Sequence, residues 1–293
     1  NAINFDPTEH FDVFILHRTP PYTGLLNRIN ADLKVFFSCD QCTVGNWSSE
    51  IYPFVDMIIC ISEYHKRYVK LYKYAPDKKI WITDLGVNIE DYQRNIKKIK
   101  GKLIYCSMPE RGLTYLLDMF PLIKAQYPEA TLTITSDHRL WGMPYTGAEG
   151  LFYKMKNLLE VEWLGRISRD ELIQHQLESE IMAYPCNYDE NFCISAAECQ
   201  LAGAIPITTD IGALNTTIKN NETGILLSSY PMTDEYKTRF ITEVVNLLKD
   251  EKRKEVLREN GKKLVTEEYN WQVIAKKWIE KFKNMIEEKN GAK

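Results

Sequence analysis

Residues 184–206 read YPCNYDENFCISAAECQLAGAIP and carry two glutamates, Glu190 and Glu198, with seven residues between them. An apolar run before the segment predicts a strand, and the small residues after it predict a helix that Gly203 ends as a C-cap. The two carboxylates therefore flank a predicted helix N-terminus, where backbone N–H groups bind phosphate. Because a carboxylate repels phosphate, we expect these side chains to accept hydrogen bonds from sugar hydroxyls.

The segment resembles the E-x7-E motif of retaining glycosyltransferases with the GT-B fold, especially the large glycosyltransferase family 4, also called glycosyl transferases group 1. Phe192, just after the first glutamate, and the ending Gly203-x-x-Pro206 make the match more specific than two glutamates alone. The resemblance implies that Glu190 contacts the donor sugar and that Glu198 contacts the nucleotide ribose. The alternative is a pair of solvated glutamates on a loop and a helix.

Composition limits the class of protein. The chain has 293 residues, enough for two domains, and a net charge of −3 gives no reason to expect nucleic acid. No apolar run approaches the roughly 20 residues of a membrane-spanning helix. Seven cysteines, mostly in apolar runs, and a polar N-terminus unlike a signal peptide favour a cytoplasmic protein with reduced thiols. No second pair completes a zinc site with Cys39 and Cys42, so we expect no metal. The chain begins at Asn1 rather than Met, as a fragment does.

Short apolar, β-branched runs alternate with helical patterns, which predicts parallel sheets covered by helices. The runs are too many for one ordinary sheet, so we expect an α/β protein with two Rossmann-like domains. The predicted strands are 13–16, 34–38, 57–61, 80–83, 102–106, 131–135, 161–164, 181–184, 204–208 and 224–227. The predicted helices include 113–125, 169–178, 195–202 and a C-terminal segment, 266–278.

A domain boundary is predicted at residues 86–101, where a strand end is followed by a basic linker. The stretch resembles the interdomain segment of the family. The resemblance implies an N-terminal, acceptor-side domain of residues 1–95, completed by the tail 275–293, and a nucleotide-sugar-binding domain of residues 96–274. The strands predicted before residue 86 are fewer than the family has there, so we expect a reduced N-terminal domain.

His17 follows the run FDVFIL at the carboxyl end of a predicted strand, where ligands bind in open α/β sheets. The run resembles the D-(apolar)-H segment of the family, which implies that His17 hydrogen-bonds the transferred sugar in the same cleft as Glu190. The alternative is a histidine that caps a strand without a function. Asp40 stands where many relatives read H-D and is a further candidate for the pocket.

The sequence YCSMPERGL around Arg111 resembles the phosphate-binding turn after the first strand of the second domain. Arg111 and Gly112 match one of the two usual basic pairs, whereas Ser107 stands where the other Arg belongs. We expect Arg111 to fork onto the diphosphate and Ser107 to donate its hydroxyl, with Arg139 or Arg166 as a second cation. The alternative is a surface turn with a solvated arginine.

Two further segments complete the predicted nucleotide site. Gly165 and Arg166 lie in a turn whose backbone reads the base edge in the family, which leaves no side-chain code for the base. A glycine in the family's phosphate-contacting loop is replaced by cysteine, which we expect to tighten or twist the approach of the backbone to phosphate. The residues of that loop are Asn191, Phe192, Cys193 and Ile194.

Residues 63–79 contain six Lys or Arg and two acidic residues interleaved with aromatic residues. Basic, aromatic-rich helices lie on anionic membranes, so this segment is a candidate for peripheral membrane contact. The alternative is a solvated helix face whose tyrosines pack on the sheet.

Together these features predict a retaining glycosyltransferase that moves a sugar from a UDP- or GDP-sugar to a carbohydrate or lipid-linked acceptor, without a required cofactor. The resemblance implies front-face attack assisted by a donor phosphate oxygen, so no protein nucleophile is expected. Two alternatives stay open. One is a non-catalytic, nucleotide-sugar-binding partner subunit, and the other is a GT-B sugar-nucleotide epimerase, whose product stays attached to the nucleotide.

Overall fold

The computed structural model describes residues 6, 8–18, 26–41, 49–138 and 149–291. Within these residues the chain forms ten strands and nine α-helices. It divides into two compact units. The first unit consists of Asn1–Gly86 and Trp271–Lys293, and the second consists of Val87–Asn270.

The elements are numbered in chain order. The strands are β1 His10–His17, β2 Asn30–Phe37, β3 Met57–Cys60, β4 Ile80–Ile82, β5 Lys102–Tyr105, β6 Thr131–Ile134, β7 Val161–Trp163, β8 Ile181–Tyr184, β9 Ile205–Thr209 and β10 Ile225–Leu227. The helices are α1 Glu63–Lys73, α2 Leu113–Gln126, α3 Glu149–Lys156, α4 Arg169–Glu178, α5 Ile194–Ala202, α6 Leu214–Thr217, α7 Asp234–Lys249, α8 Glu251–Glu268 and α9 Trp271–Gly291.

The first unit is built on a parallel sheet with the strand order β1-β2-β3-β4. Its last helix, α9, packs on this sheet through aromatic side chains. The ring of Trp278 meets that of Phe37 edge to face at 5.2 Å, and its indole N–H donates to the hydroxyl of Thr83 at 2.8 Å. The C-terminal helix therefore belongs to the unit that begins at the N-terminus.

The second unit has a parallel sheet with the strand order β10-β9-β8-β5-β6-β7. Every residue of β5 and β8 is buried, as expected for central strands with both faces covered. From β5 the chain builds outward through β6 and β7, then returns to the other side of β5 with β8. The strand order therefore reverses between β5 and β8, and such a reversal opens a crevice at the carboxyl ends of the strands.

Capping residues mark the ends of two central helices, α4 and α5. Ser168 caps α4 in a reciprocal capping box with Glu171, which contributes about 1 kcal/mol. Gly203 ends α5 with a left-handed φ of 73°, and its N–H donates to the carbonyls of Cys199 and Gln200. The predicted C-cap is thus confirmed.

The C-terminal helical prediction was wrong in one respect. Residues 266–278 do not form one helix, because α8 ends at Glu268 and α9 begins at Trp271. The N–H of Val87 donates to the carbonyl of Tyr269 at 2.7 Å, and Val87 forms a bridge with Asn270. These bonds to the start of the second unit hold the chain out of helical geometry at the break.

Each of the ten predicted strands corresponds to an observed one, and the predicted α/β class with two parallel sheets is confirmed. The first two strands begin earlier than predicted, at His10 and Asn30 instead of 13 and 34. They pair with each other from those residues onward, although several of the side chains there are exposed. Backbone pairing thus extends these strands beyond their apolar runs.

Candidate functional site

The crevice between β5 and β8 collects the predicted nucleotide-binding residues of the second unit. The turn with Ser107 and Arg111 follows β5, and the loop with Glu190 follows β8. Both segments leave the sheet at its carboxyl edge because the two strands are parallel neighbours. Helix α5 then begins at Ile194, so its N-terminal N–H groups lie at the same edge.

Glu190 is held by two donors on a single oxygen. Its Oε1 accepts from Nη1 of Arg111 at 2.9 Å and from the hydroxyl of Tyr184 at 2.7 Å. Ser107 donates in turn to the oxygen of Tyr184 at 3.1 Å. Burial and then the Glu190 carboxylate raise the pKa of Tyr184 well above its usual value, so this hydroxyl keeps its proton and donates. In the part of the chain that the structure describes, no donor reaches Oε2 of Glu190.

The turn that carries Arg111 lies directly against the loop after β8. The guanidinium of Arg111 stacks over the ring of Tyr188 at 4.2 Å. Gly112 has a left-handed φ of 111°, and a Cβ there would lie 2.0 Å from the carbonyl oxygen of Pro185. Only glycine allows this approach, so Gly112 brings Arg111 to Glu190.

Glu198 lies on α5 with a side chain that is only 10% exposed. Its Oε1 pairs with Nη2 of Arg169 at 2.8 Å, and its Oε2 accepts from the amide of Gln176 at 3.3 Å. The hydroxyl of Tyr92 donates to the amide oxygen of Gln176 at 2.7 Å and accepts from Arg169 at 3.3 Å. Tyr92 thereby orients the Gln176 amide so that its NH₂ group faces Glu198.

Sequence reasoning missed three residues of this network, Tyr92, Arg169 and Gln176. Gln176 is fully buried on a face of α4 that otherwise takes apolar residues, and a polar residue in that position was the available signal. Arg169 is the first residue of α4, directly after its N-cap. Tyr92 lies within the interdomain stretch 86–101, where nothing local indicated a contact with α4.

Cys193 adopts the conformation that glycine would supply. Its φ is 70° and its ψ is 75°, so the backbone enters α5 through a left-handed residue that carries a Cβ. This geometry costs on the order of 1 kcal/mol for an L-residue. Burial raises the pKa of the Cys193 thiol well above its usual value, so the thiol is neutral.

The neighbours of Cys193 differ in exposure. Phe192 is 1% exposed, packs edge to face on Tyr269 at 5.1 Å and has its carbonyl bonded by the Thr217 hydroxyl. Asn191 is buried, whereas Ile194 at the helix start is half-buried. The side chain of Phe192 is therefore part of the core.

The remaining predicted site residues of the second unit, Gly165, Arg166 and Arg139, give less support to a nucleotide site. Gly165 is buried with a left-handed φ of 66°, and Arg166 beside it is exposed. Arg139 lies outside the described residues. Among the described residues, the cations that pair with the motif glutamates are Arg111 and Arg169.

In the first unit, His17 is the last residue of β1 and its Nε2 lies 3.4 Å from the sulfur of Cys39. Its ring stacks on Phe37 at 5.0 Å. Burial lowers the pKa of His17, and the neighbouring Arg18 acts in the same direction, so the ring is mostly neutral at pH 7. Asp40 accepts from Arg18 at 2.5 Å. His17 and Asp40 thus lie at one carboxyl edge, because β1 and β2 are parallel neighbours.

One group within the described ranges has a geometry that could hold a metal ion. It consists of His10, Asp12 and Asp32, near the amino ends of β1 and β2 and therefore at the opposite edge from His17. Cys42 of the C-x-x-C sequence lies outside the described residues. The glutamates of the motif do not belong to this group.

The basic segment 63–79 contains α1 and exposes Leu71, Tyr72 and Tyr74 to solvent. None of the helices in the described ranges is both long enough and apolar enough to cross a bilayer.

Two parallel α/β units, with a glutamate pair at the switch point of the second, define a protein of the GT-B class. The chain belongs to the family described as Glycosyl transferases group 1, whose model matches residues 93–264, more than half of the chain. The resemblance stated from the motif is therefore confirmed.

The individual relatives have low sequence identity to this chain. The chain is 24% identical over 206 residues to a lipopolysaccharide 1,2-N-acetylglucosaminetransferase of Salmonella typhimurium. The aligned region covers 67% of this chain and 51% of that protein. It is 25% identical over 177 residues to a GDP-mannose-dependent alpha-(1-6)-phosphatidylinositol monomannoside mannosyltransferase of Mycobacterium tuberculosis, covering 58% of this chain and 43% of that protein. The matches thus span about half the length of these relatives.

A solved structure shows the same fold. The Anabaena protein Alr3699/HepE, in complex with UDP-glucose, superposes with a TM-score of 0.74 at 13% identity, over 93% of this chain and 79% of that one. At this identity the likeness establishes the fold.

Proposed function

We propose that this chain binds a nucleotide-diphosphate sugar at the carboxyl edge of its six-stranded sheet and transfers the sugar with retention of configuration. The observation that carries the proposal is the pairing of Arg111 with Glu190 at the point where the strand order reverses, with Glu198 on the helix that begins there. Ligands bind at such points in open α/β sheets. Membership in a glycosyltransferase family supports the same class of reaction.

The contacts of Glu198 suit a ribose. A carboxylate offers about four acceptor positions, two on each oxygen. Arg169 occupies one on Oε1 and Gln176 occupies one on Oε2. One position is left on each oxygen, which matches the two hydroxyls of a ribose cis-diol.

The contacts of Glu190 suit a sugar hydroxyl in a similar way. Arg111 and Tyr184 both bond Oε1, so Oε2 is left to accept from the donor sugar. A guanidinium carries five N–H donors in a fork, so Arg111 can reach a phosphate while its Nη1 stays on Glu190. In this arrangement Arg111 lies between the sugar and the diphosphate.

Electrostatic stabilisation of the leaving diphosphate is the main catalytic effect that we propose. Charge accumulates on the diphosphate as the glycosidic bond breaks, and donors fixed in place stabilise that charge. Arg111 and the N–H groups at the start of α5 would supply them, without a required metal or cofactor. The acceptor attacks from the same face while a donor phosphate oxygen takes its proton. We further propose that His17 hydrogen-bonds the transferred sugar.

The acceptor that we propose is a carbohydrate or a lipid-linked sugar. The names of the relatives mention a lipopolysaccharide and a phosphatidylinositol monomannoside. The basic segment 63–79, with exposed Leu71, Tyr72 and Tyr74, would place a cytoplasmic protein at an anionic membrane surface.

One second candidate is supported by specific features, a nucleotide-sugar-binding partner subunit without activity of its own. Ser107 replaces a cation of the family's phosphate turn, and Cys193 brings a left-handed residue with a side chain to the phosphate loop. The loss of a cation at position 107 leaves less positive charge to stabilise a leaving diphosphate.

The experiment that tests the proposal is a thermal-shift panel of UDP-, GDP- and ADP-sugars, followed by measurement of nucleotide release from any donor that binds. We expect one donor class to raise the melting temperature and to be turned over slowly in water. Binding without release favours the partner subunit. A product sugar that stays attached to the nucleotide indicates the epimerase, and a failure of every donor to bind removes the proposal.

A further inference from the structure

Four side chains of the second unit close a ring of hydrogen bonds that includes the motif residue Glu198. The hydroxyl of Tyr92 donates to the amide oxygen of Gln176 at 2.7 Å, and the amide NH₂ of Gln176 donates to Oε2 of Glu198 at 3.3 Å. Nη2 of Arg169 closes the ring, at 2.8 Å from Oε1 of Glu198 and 3.3 Å from the oxygen of Tyr92. One phenol hydroxyl is therefore bonded to both groups that hold the Glu198 carboxylate.

The protons of this ring have one arrangement. A carboxylate only accepts hydrogen bonds, so the amide of Gln176 must turn its NH₂ group toward Glu198. The amide oxygen then faces Tyr92, whose hydroxyl donates to it. A guanidinium only donates, so the same hydroxyl accepts from Arg169. Burial and then the Glu198 carboxylate raise the pKa of Tyr92, so the hydroxyl keeps the proton that it donates.

The segment that carries Tyr92 is fixed against α4. Tyr92 ends a single-turn 3-10 helix, Glu90–Tyr92, which contacts α4. Just beyond it, Arg94 pairs at 2.7 Å with Asp170 in the first turn of α4. Tyr92 is 6% exposed and Gln176 is fully buried. A hydrogen bond lost between them would therefore leave the Gln176 oxygen buried without its donor.

We propose that Tyr92 is a positioning residue for the ribose of the nucleotide. Its hydroxyl fixes the two donors that bond Glu198, one on each carboxylate oxygen, so that one acceptor position on each oxygen is presented to a ribose diol. Without the hydroxyl, the Gln176 amide can turn over and place its oxygen against Oε2 of Glu198, which removes a donor and adds repulsion. This inference rests on the ribose contact proposed above for Glu198.

Tyr92→Phe is the principal variant, because it removes the hydroxyl and keeps the buried ring. Its affinities for UDP, GDP and their 2′-deoxy forms are measured by isothermal titration, in the wild-type background and in Glu198→Gln. Tyr236→Phe is the matched control. It also removes a buried hydroxyl of the second unit, one that bonds Thr209 at 2.8 Å and lies outside the ring of hydrogen bonds.

We expect Tyr92→Phe to weaken the binding of the preferred nucleoside diphosphate about 3- to 12-fold, as expected for the loss of one hydrogen bond. The 2′-deoxy form should lose less affinity. Tyr236→Phe should bind as wild type does, although both substitutions lower the melting temperature. In the Glu198→Gln background, Tyr92→Phe should cause no further loss, because Tyr92 acts through Glu198.

Wild-type affinity in Tyr92→Phe, together with a loss in Glu198→Gln, would overturn this inference and leave the proposed function in place. An equal loss from Tyr92→Phe in both backgrounds would overturn it too, because Tyr92 would then act independently of Glu198. Equal losses in Tyr92→Phe and Tyr236→Phe would assign the effect to the fold. If Glu198→Gln binds as wild type does, or if no nucleotide binds the wild-type protein, the ribose contact fails and the role of Tyr92 fails with it.

Discussion

Replacement of Glu198 by Gln should weaken the binding of ribonucleoside diphosphates without unfolding the protein. Arg169 and Gln176 each take one acceptor position of this carboxylate, which leaves one on each oxygen for a ribose diol. Glutamine keeps the shape but loses the charge and one acceptor. Loss of a hydrogen bond to a charged group costs roughly 1.5–3 kcal/mol, which is about a 10- to 150-fold rise in Kd.

Isothermal titration with UDP and GDP measures this effect, and the 2′-deoxy nucleotides separate its cause. If Glu198 accepts from the ribose, wild-type protein should bind a 2′-deoxy nucleotide more weakly, and the penalty of Glu198→Gln should shrink with that ligand. Glu267→Gln, an exposed change on α8, is the matched control and should leave both affinities unchanged. An affinity within about twofold of wild type for both UDP and GDP would refute the assignment of Glu198. An equal loss for ribo- and 2′-deoxy nucleotides would show that the residue supports the fold instead.

Three further predictions concern other residues of the two units. Arg111→Ala should lower donor affinity and turnover together, while a chelator leaves wild-type turnover intact; full dependence on a divalent metal would contradict the proposed mechanism. Glu190→Gln should keep nucleoside diphosphate affinity within about twofold yet lose most transfer, and His17→Ala should do the same; a loss of nucleotide affinity in either variant would assign that residue to the nucleotide or the fold. Burial and then the charge of Arg258 lower the pKa of Lys98 to about 7 in the folded protein. Between pH 7 and the usual lysine pKa, Lys98 therefore binds more protons in the unfolded chain than in the folded protein. The free energy of unfolding rises with pH over this range. In Lys98→Met, the free energy of unfolding measured with urea should rise less steeply between pH 7 and 9, by up to about 1.4 kcal/mol per pH unit. An unchanged slope would show that Lys98 does not titrate in this range.

Local signals explain what the sequence could predict of the fold. The apolar runs gave all ten strands. In central strands such as β5 and β8 these runs are continuous because both faces of the strand are buried. Gly203 marked the end of α5 through its C-cap, which depends on neighbouring residues only. The break at Asn270 escaped prediction because its cause, the bonds of Val87 to residues 269 and 270, joins distant parts of the chain.

The candidate site was predictable in its residue types and much less in its contacts. The motif and the turn identified Glu190, Glu198 and Arg111, but the 2.9 Å pair between Arg111 and Glu190 joins residues 79 positions apart. The bond from Tyr92 to Gln176 joins residues 84 positions apart, and the one available signal, a polar residue on the apolar face of α4, does not name its partner. Such partners are set by packing of α4 and the linker against α5, which residue patterns do not specify.

Retaining transfer from a nucleotide-diphosphate sugar can be measured by ¹H NMR of the sugar that the protein first releases. UDP-glucose, UDP-N-acetylglucosamine and GDP-mannose are incubated in turn with wild-type protein and with Glu190→Gln as the matched variant. We expect one of these α-linked donors to yield free nucleoside diphosphate and, before mutarotation, the α-anomer of its sugar. Glu190→Gln should still bind the donor but release little sugar. First release of the β-anomer, or equal release by Glu190→Gln, would contradict this expectation.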